Sequence, residues 1–216
     1  VDASPNSIDG LIKIAIIVKK AHKKATKTLD KFKSNYQATI EKFNDEKKEE
    51  LSKDILKPQD LHDYLDMLKN MNGKEIDYII NYLIIHFNTR NKDLDVTIVN
   101  RKADINDVDN FLYINKKTKK VQYIRNKYKT AKTYGKKVDE IDNADFYNKI
   151  KDMKLGRLIN VAPSGFSKTV QRMTLNGVGS GMYFKIISSV AKPKELKSLS
   201  KNRGTSVDTI VENYVV

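Results

Sequence analysis

At Asn88 the spacing of apolar residues changes from one that suits helices to one that suits strands, and this divides the chain into two kinds of element. Ahead of it, Leu11, Ile14, Ala15 and Val18, and then Leu29, Phe32, Tyr36, Ile40 and Phe43, recur at three- and four-residue steps, which predicts amphipathic helices. Pro58 with Asp60 restarts the chain, Leu61, Tyr64, Leu65 and Leu68 form another stripe, and Gly73 interrupts it. Ile76, Ile79, Ile80, Leu83, Ile84 and Phe87 give the next helix an apolar face broad enough for a buried helix. Beyond Asn88, Val96–Val99, Phe111–Ile114 and Val121–Ile124 read as strands, the latter two joined by a lysine-rich turn, and Val138–Ile141 could supply one more. Helices resume at Ala144–Met153, Gly165–Met173 and Tyr183–Val190. A short last helix, Ser206–Tyr214, has Ser206 as N-cap, Asp208 in its first turn, and Val207, Ile210 and Val211 as its inward face. The expectation is an α+β chain, mostly helical, with a small antiparallel three-stranded sheet. It divides into a helical region at 1–72 and a mixed domain at 73–216.

A chain of 216 residues, 39% of them hydrophobic, can bury one substantial core or split into a small and a larger domain. Its longest apolar run, Leu11 to Val18, is broken by Lys13 and falls short of the roughly 20 residues that a membrane span needs. No membrane partner is expected. Val1 to Gly10 lacks the basic start and apolar stretch of a secretory signal, so an intracellular protein is expected. Val1 in place of an initiator Met suggests a processed or trimmed start, so an upstream DNA-binding segment is an expectation. The lack of cysteine excludes disulfides and thiolate metal sites. His22, His62 and His86 lie far apart in sequence, so no metal is expected.

The formal net charge of +14 favours a polyanionic partner, because neutralised phosphates release counterions. An AT-rich coding sequence would also raise lysine content, so the distribution of charge matters more than the total. From Phe111 to Lys137 there is no acidic residue, while Lys116, Lys117, Lys119, Lys120, Arg125, Lys127, Lys129, Lys132, Lys136 and Lys137 are all present. Tyr113, Tyr123, Tyr128 and Tyr134 alternate with them, a pattern suited to a nucleic-acid backbone. Asp104 to Asp109 is by contrast an acidic loop.

The order of these signals carries a resemblance. A buried helix ends in Asn88-Thr89-Arg90-Asn91-Lys92-Asp93-Leu94. A sheet comes next with Tyr128-Lys129-Thr130-Ala131-Lys132-Thr133-Tyr134-Gly135, and Arg203-Gly204-Thr205-Ser206 precedes Tyr214. From roughly Ile76 to Val216 the chain resembles the tyrosine recombinase, or phage integrase, family, in particular the divergent integrase-like proteins of large eukaryotic DNA viruses and their virophages. The first helices would then be a remnant of the family's core-binding domain.

The resemblance implies double-stranded DNA as partner, a homo-oligomer on DNA, and attack by the Tyr214 hydroxyl on a phosphodiester. Arg90 matches the first family arginine, and Lys129 matches the hairpin lysine that acts as general acid, with Lys132 as a close substitute. Thr205 stands at the histidine of the Gly-His-Ser motif. The His-x-x-Arg motif should fall near Gly179 to Lys185, where Lys185 is the one obvious substitute. Lysine supplies charge without arginine's bidentate fork, and Arg172 or Arg203 could fill the vacant place instead. No cofactor is implied, because the phosphotyrosyl bond stores the energy for rejoining. With these changes a second function stands beside the first: a recombinase fold without turnover, binding DNA or capsid proteins as a virion structural component. A third is a capsid-associated protein with no DNA role. The setting implied is the host nucleus, a viral factory or the virion. The glycines at Gly177, Gly179 and Gly181 lack the strand-before, helix-after context of a phosphate loop, and no serine has a histidine nearby in sequence.

Overall fold

The computed structural model describes residues 5–21, 27–34, 36, 37, 39 and 56–214. The chain forms two compact units, Val1–Ile55 and Leu56–Val216. In the first, α1 (Pro5–Ala21) carries the expected apolar spacing, and residues 27–34 are again helical. The expected helical positions Ile40 and Phe43 lie outside the described residues.

The second unit begins earlier than the reading at residue 73. Helix α2 (Pro58–Asn70) opens with Pro58 in its first turn, and Asp60 Oδ2 accepts from the Lys57 N–H at 2.6 Å. Its face of Leu61, Leu65 and Leu68 is buried in the same core as α3 (Glu75–Phe87). That burial ties α2 to α3, so the boundary falls between Ile55 and Leu56 and not after residue 72.

Helix α3 is the central post. Ile79, Ile80, Leu83 and Ile84 are 0–1% exposed, and Tyr78, Tyr82 and Ile85 are buried beside them. Around it pack α5 (Ala144–Ile150) through Phe146 and Ile150, α6 (Pro163–Met173) through Phe166 and Val170, and α7 (Gly179–Ser189) through Tyr183 and Ile186; the single turn α4 (Ala131–Tyr134) lies outside this group. Burying Asn81 in this core requires partners for its amide. Its Nδ2 donates to the Asp77 and Met173 carbonyls at 2.7 and 2.8 Å. Its Oδ1 accepts from the Tyr183 hydroxyl at 2.7 Å, and that hydroxyl in turn accepts from the Leu175 N–H at 2.8 Å.

The sheet has five strands: β1 (Val96–Val99), β2 (Asn110–Asn115), β3 (Lys120–Arg125), β4 (Lys137–Ile141) and β5 (Gly156–Arg157), in the order β4-β3-β2-β1-β5. The expected three antiparallel strands therefore become a mixed sheet, since β1 runs parallel to β2 with Val96 opposite Asn110. Alternation of apolar residues fixes which face a side chain takes but not which way the strand runs. Two-residue β5 is too short to leave a pattern. Leu112, Ile114, Val121 and Tyr123 face the main core, while Phe111, Tyr113 and Ile124 join Val99 in a second cluster covered by Ile105.

Two helices close the chain: α8 (Pro193–Arg203) and α9 (Val207–Tyr214). With Phe184 of α7 they form a small separate core through Leu199 and Ile210, and Tyr214 packs against it. Ser206 caps α9 as its position implies, its Oγ accepting from the Thr209 N–H at 3.1 Å. Ile210 is fully buried as expected, but Val211 is 49% exposed and does not face inward. A helix of eight residues has room for only a narrow buried stripe. Among the described residues no helix is long and apolar enough to cross a membrane.

Candidate functional site

The loop after α3 sets the first site residue. Asn88 ends the helix at φ 52°, a left-handed turn that asparagine tolerates, and the chain then winds into a short 3-10 turn, Asn91–Leu94. Asp93, 3% exposed, accepts from the Arg90 N–H at 3.2 Å, and its Oδ2 lies 3.7 Å from Arg90 Nη1. Burial pushes the Asp93 carboxyl above the usual range, and the Arg90 N–H and guanidinium oppose that shift. Asn91 ties the turn to two helices, donating to the Ser167 carbonyl at 3.1 Å and accepting from the Ser180 N–H at 3.1 Å. The backbone that carries Arg90 is thus anchored to α6 and α7.

Arg90 and Lys129, matched on the resemblance alone, line one cleft of about 510 Å³, together with Lys92, Asp93, Lys127 and Tyr128. At the end of α8, Arg90 Nη1 donates to the Arg203 carbonyl at 2.8 Å. The Arg203 side chain turns inward, 5% exposed, with Nη1 donating to the Asn88 carbonyl at 3.2 Å. Its guanidinium carbon lies 4.0 Å from the Phe184 ring centre and 5.3 Å from that of Tyr214, and the two rings meet edge-to-face at 4.9 Å. Burial lowers the Arg203 pKa, Tyr214 opposes this, and the Arg90 charge adds to it. Arg90, 113 residues away in sequence, thus holds the backbone of Arg203, whose own side chain lies against the Tyr214 ring.

The other expected members do not join them. Lys185 comes after Phe184 on α7, half-exposed, and its side chain makes no hydrogen bond or ion pair among the described residues. The Thr205 N–H donates to the Ser200 carbonyl and its carbonyl accepts from the Ser200 hydroxyl, while its own hydroxyl makes no hydrogen bond among the described residues. Arg172 sits exposed on α6. Of the two arginines offered for the vacant place, the structure brings Arg203 to Tyr214.

The lysine-rich hairpin is less uniform in space than in sequence. Arg125 is 1% exposed and bonds Asp139 Oδ2 at 2.6 Å, so it is an interior ion pair and not a phosphate contact. Lys120 bonds Glu140 at 2.8 Å and Asp142 at 2.9 Å, so acids on β4 and just beyond it offset its charge. Lys136 pairs with Asp107 at 2.9 Å. Antiparallel pairing of β3 with β4 brings in carboxylates that the linear sequence keeps apart. Lys116, Lys117 and Lys119 are exposed in the β2–β3 turn, while Lys127, Lys129 and Lys132 are exposed beyond the opposite end of β3. At about 3.4 Å per residue the strand separates these two groups by about 17 Å.

Lys137 stands out in the structure, although the sequence presents it only as one cation in a basic run. Half-buried at the start of β4, it donates through Nζ to the Lys201 and Asn202 carbonyls and lies 4.9 Å from the Tyr128 ring centre. Burial, with the Arg125 charge behind it, lowers its pKa to about 8. Its only sequence signal is its place at the start of a strand after Gly135.

His62 and His86, distant in sequence, meet with ring centres 6.3 Å apart. Among the described residues no group of three or more histidines and carboxylates could hold a metal ion. Compared with family models, curated proteins and solved structures, the chain finds no match.

Proposed function

We propose that this chain is a DNA-binding protein of the tyrosine recombinase kind, which cleaves and rejoins DNA through a 3′-phosphotyrosyl intermediate on Tyr214. The observation that carries this reading is the Arg203 side chain against the Tyr214 ring, with Arg90 bonded to the Arg203 carbonyl. A phosphodiester under attack gathers negative charge, and the Arg90 guanidinium, on a fixed turn and open to the cleft, is suited to stabilise it, while buried Arg203 holds the Tyr214 ring. Lys129 lines the same cleft as Arg90, which supports it as the acid that gives the departing 5′ oxygen its proton. The exposed Lys127, Lys129 and Lys132 would hold the DNA backbone. A suicide duplex nicked near the cleavage point tests the reading. A protein–DNA adduct stable to denaturant, lost in Tyr214→Phe and depressed about a hundredfold or more in Arg90→Ala, is the expected result.

One observation favours a second reading, a recombinase fold that binds DNA or capsid proteins without turnover. Neither the Lys185 nor the Thr205 side chain makes a hydrogen bond or ion pair among the described residues, so neither is tied to Arg90 or Tyr214 as the expected set requires. Salt-sensitive binding with no adduct on any substrate would select this reading. Under either, the place of action is the host nucleus, a viral factory or the virion.

A further inference from the structure

The last turn of α8 ends in carbonyls that the helix itself cannot satisfy. Side chains from far along the chain take them. Lys137 Nζ bonds the Lys201 and Asn202 carbonyls, Arg125 Nη1 bonds that of Asn202 at 3.0 Å, Arg90 Nη1 that of Arg203 at 2.8 Å, and Thr130 Oγ1 that of Gly204 at 2.6 Å. Gly204 is shaped for this clasp. It turns at φ +65°, and a Cβ there would lie 2.7 Å from Thr130 Oγ1, 3.1 Å from Tyr128 Cε2 and 3.3 Å from Lys137 Nζ. Past Gly204 the chain runs directly into α9 and Tyr214.

Two of these donors, Thr130 and Lys137, lie in or beside the segment that bears the exposed cations Lys129 and Lys132, with Lys127 just ahead of it. The proposed DNA-facing segment and the tyrosine-bearing helix are therefore joined through the end of α8. The Lys137 ammonium and Arg90 guanidinium bond neutral carbonyls here, and each makes a stronger bond to a charged phosphate oxygen. The clasp is also incompletely satisfied, because Arg125 Nε and Arg203 Nε are buried with no protein hydrogen-bond partner among the described residues.

We propose that this clasp is a DNA-responsive latch: the α8 carbonyls hold Arg90, Lys137 and Thr130 in the resting protein, and a DNA phosphate takes these donors and frees α9 with Tyr214. The proposal rests on the reading of the chain as a DNA-binding strand transferase. Helix α9, short and clasped at its start, is then closed without DNA and loosened by it.

Backbone amide exchange over residues 205–214, measured on the whole protein with and without a 30-base-pair duplex, tests the latch, with duplex binding monitored separately by fluorescence anisotropy. The expected result is that bound duplex speeds exchange there about tenfold. Without DNA, Thr130→Val and Gly204→Ala, which open the clasp from opposite sides, should give the same increase while exchange in α3 stays unchanged. Duplex that binds yet slows exchange over 205–214 or leaves it as it was overturns the latch alone. Variants that exchange like the parent overturn it too. If no duplex binds at low salt, both the latch and the DNA reading fail.

Discussion

Arg125 is the largest fully buried side chain among the described residues, and its charge is balanced by Asp139. Removing one partner of such a pair leaves an uncompensated interior charge, so Asp139→Ala is expected to cost about 3 kcal/mol in urea unfolding. The double variant Arg125→Met with Asp139→Ala should recover most of that loss, since no charge is then stranded. Lys137 makes a different demand. Its pKa in the folded protein is about 8, against 10.5 for the free side chain, so between these values the unfolded chain binds more protons. Stability is therefore expected to rise with pH across that window, as the charge that burial penalises is lost. Lys137→Gln should flatten the rise relative to the parent in unfolding measured at stepped pH.

Among the elements, α7 shows how a residue in a motif-like position can be structural. Tyr183 lies in the stretch where the resemblance led to an expectation of catalytic side chains, yet its hydroxyl is fixed between Asn81 and Leu175 in the core. Tyr183→Phe strands the Asn81 Oδ1 and the Leu175 N–H, and should cost about 2 kcal/mol of stability by thermal or urea unfolding while leaving duplex affinity unchanged. The apolar helix α3 and strands β1 to β3 were legible in the sequence because each keeps its period over several turns or residues. Helix α8 was not, although the site depends on it. Its buried residues are Leu199 and Arg203, and it is otherwise mostly lysine, serine and asparagine, so apolar periodicity carries almost no signal. Its ends held the clue: Pro193 at the first position, Glu195 accepting from the Lys192 N–H, and Gly204 in a left-handed turn. Order along the chain suggested Arg90 with Lys129, and folding puts the two in one cleft. The neighbours of Arg203 could not be read from that order, because its side chain meets Phe184 and Tyr214 only after α7, α8 and α9 have packed.

For the whole molecule, the net charge of +14 is a poor guide to where DNA would lie, because folding pairs part of it. The exposed lysines at the two ends of β3 should differ in effect. Replacing Lys127, Lys129 and Lys132 with alanine is expected to reduce the slope of log affinity against log salt by about 1 for each phosphate that loses its lysine. The same change at Lys116, Lys117 and Lys119, about 17 Å away along the strand, should leave the slope closer to that of the parent. Fluorescence anisotropy over a salt series separates the two. Tyr214, through its place beside Arg203, gives the fold its reading as a strand transferase. The most direct measurement digests a trapped protein–DNA complex with nuclease and protease and locates the nucleotide-bearing peptide by mass spectrometry. A nucleotide on the peptide containing Tyr214 is the predicted result. Its attachment to another residue, or bound DNA with no covalent product, would contradict a Tyr214 strand transferase.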